Sequence, residues 1–426
     1  MAASRRHRWK VLTAGVVGNA AFSITFSGIP TTAVLMRSGY RLDNATLGLV
    51  LGLMALGIAV SELPWGLLTD RWGDRPVLLA GLGGTGLALA ALAIWAAPDG
   101  QHIPGLPLLG AGLLLVGLLG GSVNGASGRA ILSWFDASER GFAMSIRQTA
   151  IPLGGGVGAL VLPAVAQRFG FAAMYGVLAA VCAVAAALCW AWVHEPPSTS
   201  SGEPASAPAA VAHRNPLRDS KVWRIAAGIG ILCAPQSAVL SFGTVFLHDF
   251  VHTGLLTTTV TMVSVQVGAM GMRVWSGRWT DRRRNRPGFM RACTALCIVL
   301  FAAMAAFSWW GAAADAGHGG ALRIALVILL GATGICVSAW HGVAYTELAT
   351  LVGPSRAGTA LGMANTSVFI FMFLAPVLVP RLLALQGWPW VWLAGSACAL
   401  VALPLLAPKA APPAPTPADA SLCRSA

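Results

Sequence analysis

The chain has 426 residues, of which 56% are hydrophobic and only 10% charged, with a formal net charge of +13 and a mean hydropathy of +0.71. A soluble domain carries about 25% charged residues, so this composition excludes an ordinary soluble protein and points to one that crosses a membrane many times. The positive charge does not imply nucleic-acid binding, because the basic residues are gathered on no single soluble segment and fall in short loops between apolar runs.

The start, Ser4-Arg5-Arg6-His7-Arg8-Trp9-Lys10, is basic and is expected to stay in the cytoplasm. The run over 11–36 is too long for a signal-peptide core and reads as a first spanning helix. A helix needs roughly 20 apolar residues to cross a bilayer. On that measure the spans lie near 11–36, 45–69, 76–97, 107–133, 140–166, 170–193, 222–248, 254–279, 288–312, 321–350, 356–383 and 388–408, about twelve in all. With the start inside, Glu139-Arg140, the stretch 194–220, Arg356 and the C-terminal tail also fall inside. The other side receives mainly Arg37, Arg41, Arg168, Arg323 and Arg381, so most basic residues face the cytoplasm. Residues 194–220, with Pro196-Pro197-Ser198-Thr199-Ser200, read as a flexible cytoplasmic tether. The expected organisation is a six-helix bundle over 1–193, the linker, a second bundle over 221–408 and a disordered cytoplasmic tail over 409–426.

A charged motif recurs once per half. Gly66-Leu67-Leu68-Thr69-Asp70-Arg71-Trp72-Gly73-Asp74-Arg75 is echoed by Gly277-Arg278-Trp279-Thr280-Asp281-Arg282, with Asp281 placed 211 residues after Asp70. Asn124 lies over His341 and Gly141 over Gly358, both at an offset of 217. Matched places at nearly one offset describe two similar halves, as in many transporters.

These residues resemble the major facilitator superfamily, whose loop after the second helix reads G-x-x-x-D-R-x-G-R-R. Gly66, Asp70, Arg71, Gly73 and Arg75 match, and Asp74 replaces the first of the two final basic residues. Pro152, Gly155 and Gly156 resemble the G-P-x-x-G-G motif of the family's exporters, without its leading glycine. The family's arginine early in the fourth helix is missing, because no Arg lies between Pro104 and Asn124. The resemblance implies an all-α membrane protein with two pseudo-symmetric six-helix bundles. It further implies that the second helix packs on the eleventh and the eighth on the fifth. Asp70 then sits near the eleventh helix's N-terminus and Asp281 near the fifth's, where a carboxylate meets the positive end of the dipole. Gly66 and Gly277 let the helices approach closely. With Arg71, Gly73, Arg75 and Arg282, these residues form the expected conformational latch; the plainer alternative is that the charges only set topology.

Charges within spans mark the candidates for coupling or substrate binding. Glu62 lies two turns before Asp70 and Arg273 two turns before Asp281, with opposite charge at corresponding positions. Arg147 and Gln148 lie about two turns into the fifth span, and His341 and Glu347 in the tenth. An ionisable group at such depth costs about 2.5–3.5 kcal/mol or more, so it should face a cavity or a partner. An interhelical ion pair is the alternative role for Glu62 and Arg147, and snorkelling for Arg129. Asn19, Asn124 and Gln236 add polar candidates on helices that line the cavity in this fold, and His341 can exchange a proton near neutral pH. Phe22, Phe26, Trp340 and Tyr345 offer stacking surface or plain packing.

Of the eight Cys, seven lie in apolar runs without metal spacing and read as small packing residues. The glycine run 154–156 lacks the Lys-Ser/Thr ending of a phosphate loop, and no ATPase motif, catalytic triad or metal cluster is apparent. The chain therefore reads as a secondary transporter of the inner membrane rather than an enzyme, a monomer without cofactor or metal. Its expected activity is proton-coupled export of a small organic molecule by alternating access. The runner-up is proton-symport uptake of a small organic anion, since Arg147 and Arg273 could neutralise a carboxylate.

Overall fold

The computed structural model describes residues 2–99, 103–194, 215–313 and 319–406. Most of the expected linker, residues 195–214, lies outside them, as do Cys423 and the expected tail. Among the described residues every regular element is helical.

Helix α1 (Ala2–Gly28) stops at a 3-10 turn over Ile29–Thr32, and the short α2 (Ala33–Gly39) completes the first crossing. The expected single helix over 11–36 is thus interrupted, because Pro30 has no N–H for the helical ladder. Helix α3 (Asn44–Trp72) begins at Asp43, whose carboxylate accepts the Thr46 N–H at 2.7 Å as an N-cap. It ends at Gly73, where a φ of 89° turns the chain into α4 (Asp74–Trp95). The fourth crossing is built from α5 (Leu106–Gly120) and α6 (Ser122–Trp134), interrupted at Gly121. Helix α7 (Arg140–Trp192) covers 53 residues and contains two crossings, because Gly170 leaves the helical conformation at φ 82°.

The second half repeats this plan. Its helices are α8 (Ser220–Val245), α9 (Leu255–Arg283), α10 (Arg286–Ala313), α11 (Gly320–Ser338), α12 (His341–Val352), α13 (Ala357–Gln386) and α14 (Trp388–Leu406). Helices α11 and α12 form one crossing interrupted at Ala339 and Trp340, the counterpart of the α5–α6 interruption. The repeat extends to the backbone. Gly170 and Gly387, 217 apart, both have positive φ (82° and 78°), as do Gly73 and Arg284, 211 apart (89° and 50°).

Among the described residues ten stretches are long and apolar enough to cross a membrane. The one over Arg140–Trp192 holds two crossings, and α9, with 29 residues, is long enough but more polar. The described residues thus make twelve membrane-length crossings. Leu87, Leu160, Val260, Ile328 and Leu400 point outward and exposed, which suits lipid and not water. Between the halves, α3 packs on α13 and α7 on α9. These two seams carry the site.

Candidate functional site

At one end of both seams an aspartate caps a helix of the other half. Asp70 Oδ1 accepts the Gly358 N–H at 2.9 Å, and its Oδ2 accepts the Thr359 N–H at 2.8 Å and the Thr359 hydroxyl at 2.5 Å. Asp281 accepts the Gly141 N–H at 3.2 Å and the Phe142 N–H at 2.8 Å. First-turn N–H groups lack an intrahelical acceptor, so each carboxylate satisfies two of them and meets the positive end of α13 or α7. A Cβ on Gly66 would lie 2.4 Å from the Gly358 carbonyl oxygen, and one on Gly277 would lie 2.4 Å from the Gly141 oxygen. Backbone contact at both seams therefore requires glycine.

The basic partners differ from those the motif suggests. Arg71 and Arg282 are exposed, one position past each aspartate and so turned away from the seam. Arg75 donates to the Trp190 carbonyl at 2.7 Å, within its own half. The guanidiniums at the aspartates belong to Arg129, 3.6 Å from Asp70, and Arg286, 3.0 Å from Asp281. Arg129 does not snorkel. It donates to Asp74 at 2.9 Å and to the Pro354 carbonyl at 3.2 Å, so the acidic departure at position 74 has a cationic partner.

One to two turns inside this layer lies a second, buried one, centred on the two interrupted crossings. Glu62 accepts from the Asn124 amide at 2.6 Å, within its half, and from the Asn365 amide at 3.2 Å, across the seam. The Asn365 carbonyl accepts the Tyr345 hydroxyl at 2.5 Å. Among the described residues no guanidinium lies within ion-pair distance of Glu62. Arg147 Nη1 donates to Ser127 Oγ at 3.0 Å and to the Asn124 carbonyl at 3.3 Å, so the fourth crossing, which has no arginine there itself, receives one from α7.

The second half answers with backbone. Arg273 Nε donates to the Ser338 carbonyl at 2.8 Å, freed by the α11–α12 interruption, and its Nη1 crosses the seam to the Gln148 carbonyl at 2.7 Å. Gln148 and Asn365 are themselves 217 residues apart, so the repeat relates both crossing contacts. His341 stacks on Trp340 and approaches the Ser338 carbonyl at 3.2 Å, and Gln236 donates to Ser338 Oγ at 3.1 Å. Asn19 is fully buried, one turn before Ser23, which bonds α7 at the Ile151 carbonyl; its amide has no partner among the described residues. Glu347 is half-buried toward the aspartate end, outside this cluster.

Farther from the aspartates the second seam opens into a cavity of about 1030 Å³ between α7 and the α8–α9 region. By area its walls are largely apolar, including Leu153, Val157, Met262 and Val267, while several threonines, His248, Asp249 and Gln266 also line it. Pro152 and Met270 also line it, each about one turn along its helix from the bonded pair Gln148 and Arg273. Of the glycine-rich motif, Gly156 lines the cavity and Gly155 lies beside Ser27; the close approach to α1 is made by Gly154 and Gly158.

Sequence reasoning missed Asn365 and Arg286 as site partners, and offered Tyr345 as stacking or packing surface rather than as a hydrogen-bond donor. Asn365 carried a signal, since it occupies the position related by repeat to Gln148. It also missed that Cys336 joins Cys293 and Cys297, because the third thiol comes from the next crossing.

Twelve crossings in two related halves, two matched capping aspartates and a polar layer at two interrupted helices define a membrane transporter. The sequence profile of the Major Facilitator Superfamily matches residues 15–322. Uncharacterised MFS-type transporters of Mycobacterium tuberculosis strains H37Rv and CDC 1551 are each 32% identical over 415 residues, covering 94% of this chain and 87% of theirs. The fold is similar to that of the proton:xylose symporter XylE bound to 6-bromo-6-deoxy-D-glucose, with a TM-score of 0.75, 15% identity and coverage of 94% of this chain and 96% of that one. It is also similar to the human organic anion transporter MFSD10, with a TM-score of 0.66, 15% identity and coverage of 95% and 99%. The chain belongs to the major facilitator superfamily, a family of transporters and not of enzymes.

Proposed function

We propose that the protein exports a small, largely apolar organic molecule across the inner membrane in exchange for protons. Residues 1–193 and 221–408 rock as two bundles joined by the 194–220 linker, in a monomer with both termini in the cytoplasm. The aspartate end is the cytoplasmic end, and its two capped helices latch it shut while the α7–α9 cavity is open to the other side.

The observation that carries the reading is Glu62. Asp70, Asp74 and Asp281 each lie beside a guanidinium, whereas Glu62 is buried between neutral amides of both halves. Protonation would turn one of its acceptor oxygens into a donor. It would also remove the negative charge that strengthens both amide bonds, including the one across the seam, which loosens the latched side. A proton arriving from outside then favours the inward-facing state, the step an antiporter needs before it collects cytoplasmic cargo. The apolar cavity and the partial exporter motif support an amphipathic or apolar cargo leaving the cell.

The test uses everted vesicles with an acidic interior and a panel of apolar fluorescent dyes. The wild type should accumulate a dye only while the gradient stands, and Glu62→Gln should not. Accumulation that survives collapse of the gradient contradicts proton coupling; gradient-driven entry into intact cells contradicts the direction. A second reading, symport of an organic anion, draws on Arg147, whose Nε is buried without a partner among the described residues and would suit a carboxylate.

A further inference from the structure

Outside the polar layer, three thiols of the second half converge. Cys293 and Cys297 lie one turn apart on α10, and Cys336 lies in the last turn of α11. Their sulfurs are all within 4.8 Å of one another, and all three residues are buried. Cys297 Sγ is 3.6 Å from Cys336 Sγ; Cys293 Sγ donates to the Cys336 carbonyl at 3.4 Å, and Cys336 Sγ to the Cys293 carbonyl at 3.7 Å. All three are free cysteines, packed in the same apolar core as Phe301 and Val337.

We propose that these three cysteines form a binding site for a trivalent thiophilic metalloid, with arsenic(III) as the type ligand. Soft ions select thiolates, and no carboxylate or imidazole joins the group among the described residues. Charge then selects within the soft class. Three thiolates leave a net charge of two around a monovalent ion and of one around a divalent ion, and an unpaired charge in an apolar interior is costly. Around a trivalent centre they leave none. Three sulfurs without a fourth ligand also suit a three-coordinate centre better than tetrahedral zinc.

The chemistry balances without any redox change. Neutral trihydroxyarsenic exchanges its three hydroxyl groups for the three sulfurs. Three As–O and three S–H bonds break, three As–S bonds form, and three water molecules leave. Both the entering species and the product are uncharged, so neither pays a charge-desolvation penalty in lipid. Occupancy would tie α10 to α11 just before the α11–α12 interruption. Cys336 is two residues from Ser338, whose carbonyl holds Arg273, so a bound metalloid should stiffen the crossing that carries the polar layer.

The experiment is arsenite binding to the purified full-length protein in lipid nanodiscs. It is read by intact mass and by X-ray absorption at the arsenic edge. The wild type should take up one arsenic with loss of three hydrogens and show three sulfur neighbours. Cys297→Ser and Cys336→Ser should each bind about 10²-fold more weakly, as expected when a chelate loses one arm, and should lose the three-sulfur shell. Cys182→Ser, in the other half, should bind as the wild type does. A wild type that binds no arsenic, or three-sulfur coordination that persists in both variants, overturns the site. Should one variant fail to fold, the other and the wild-type shell decide.

Discussion

Glu62 and Arg273 occupy the same place in the two halves, yet they are held in opposite ways. Glu62 is bound by side-chain amides, Arg273 by backbone carbonyls. Amide N–H donors hold a charged carboxylate more strongly than a protonated one. A guanidinium stays charged at any physiological pH, and backbone carbonyls cannot turn away. On the mechanism we propose, the difference gives the switching role to the α3–α13 seam and the bracing role to the α7–α9 seam. The latch layer beneath is nearly symmetric, so the asymmetry lies in the inner layer.

The largest expected effect follows from removing the switch. Glu62→Gln, with labels on both seams, should make the population of the latch-open state independent of pH, whereas the wild type should open more as pH falls. A pH response that survives in Glu62→Gln would move the proton site elsewhere. Next comes steric separation. Gly66→Ala places a carbon against the Gly358 carbonyl and should cost about 1–3 kcal/mol of overpacking, seen as a lower unfolding temperature and a wider α3–α13 distance.

A smaller loss tests the brace. Arg273→Lys keeps the charge but cannot reach both the Ser338 and Gln148 carbonyls with the same fork. It should lose one charged hydrogen bond, about 1.5–3 kcal/mol in thermal stability, and leave the pH response intact. If it abolished the pH response instead, the division of roles would fail. The smallest effect belongs to the exposed motif arginines: Arg71→Ala and Arg282→Ala should change stability by less than about 0.5 kcal/mol.

Much of this frame was legible in the sequence because it is periodic. Apolar runs announce crossings, and the repeated Asp70 and Asp281 announce where the two halves correspond. Glu62 and Arg273 stood out because a charge in an apolar run needs a partner. Their partners did not stand out. Asn365 carries no charge, and the Ser338 and Gln148 carbonyls belong to backbone, which no residue type advertises. The turn of α1 into α2 was missed because Pro30 sits within an otherwise continuous apolar run. Arg71 matched the motif but faces away from the seam, since neighbouring helical positions point about 100° apart.

The central claim is that two aspartates on one face hold one end of the molecule closed while the other end is open. Pulsed electron-spin distances answer it directly, with one label pair across the aspartate ends of α3 and α13 and another across the cavity ends of α7 and α9. In Asp70→Asn/Asp281→Asn, loss of two capping charges worth about 0.3–2 kcal/mol each should lengthen the first distance and shorten the second. No change in either, or lengthening of both together, would contradict a rocking molecule latched at these residues.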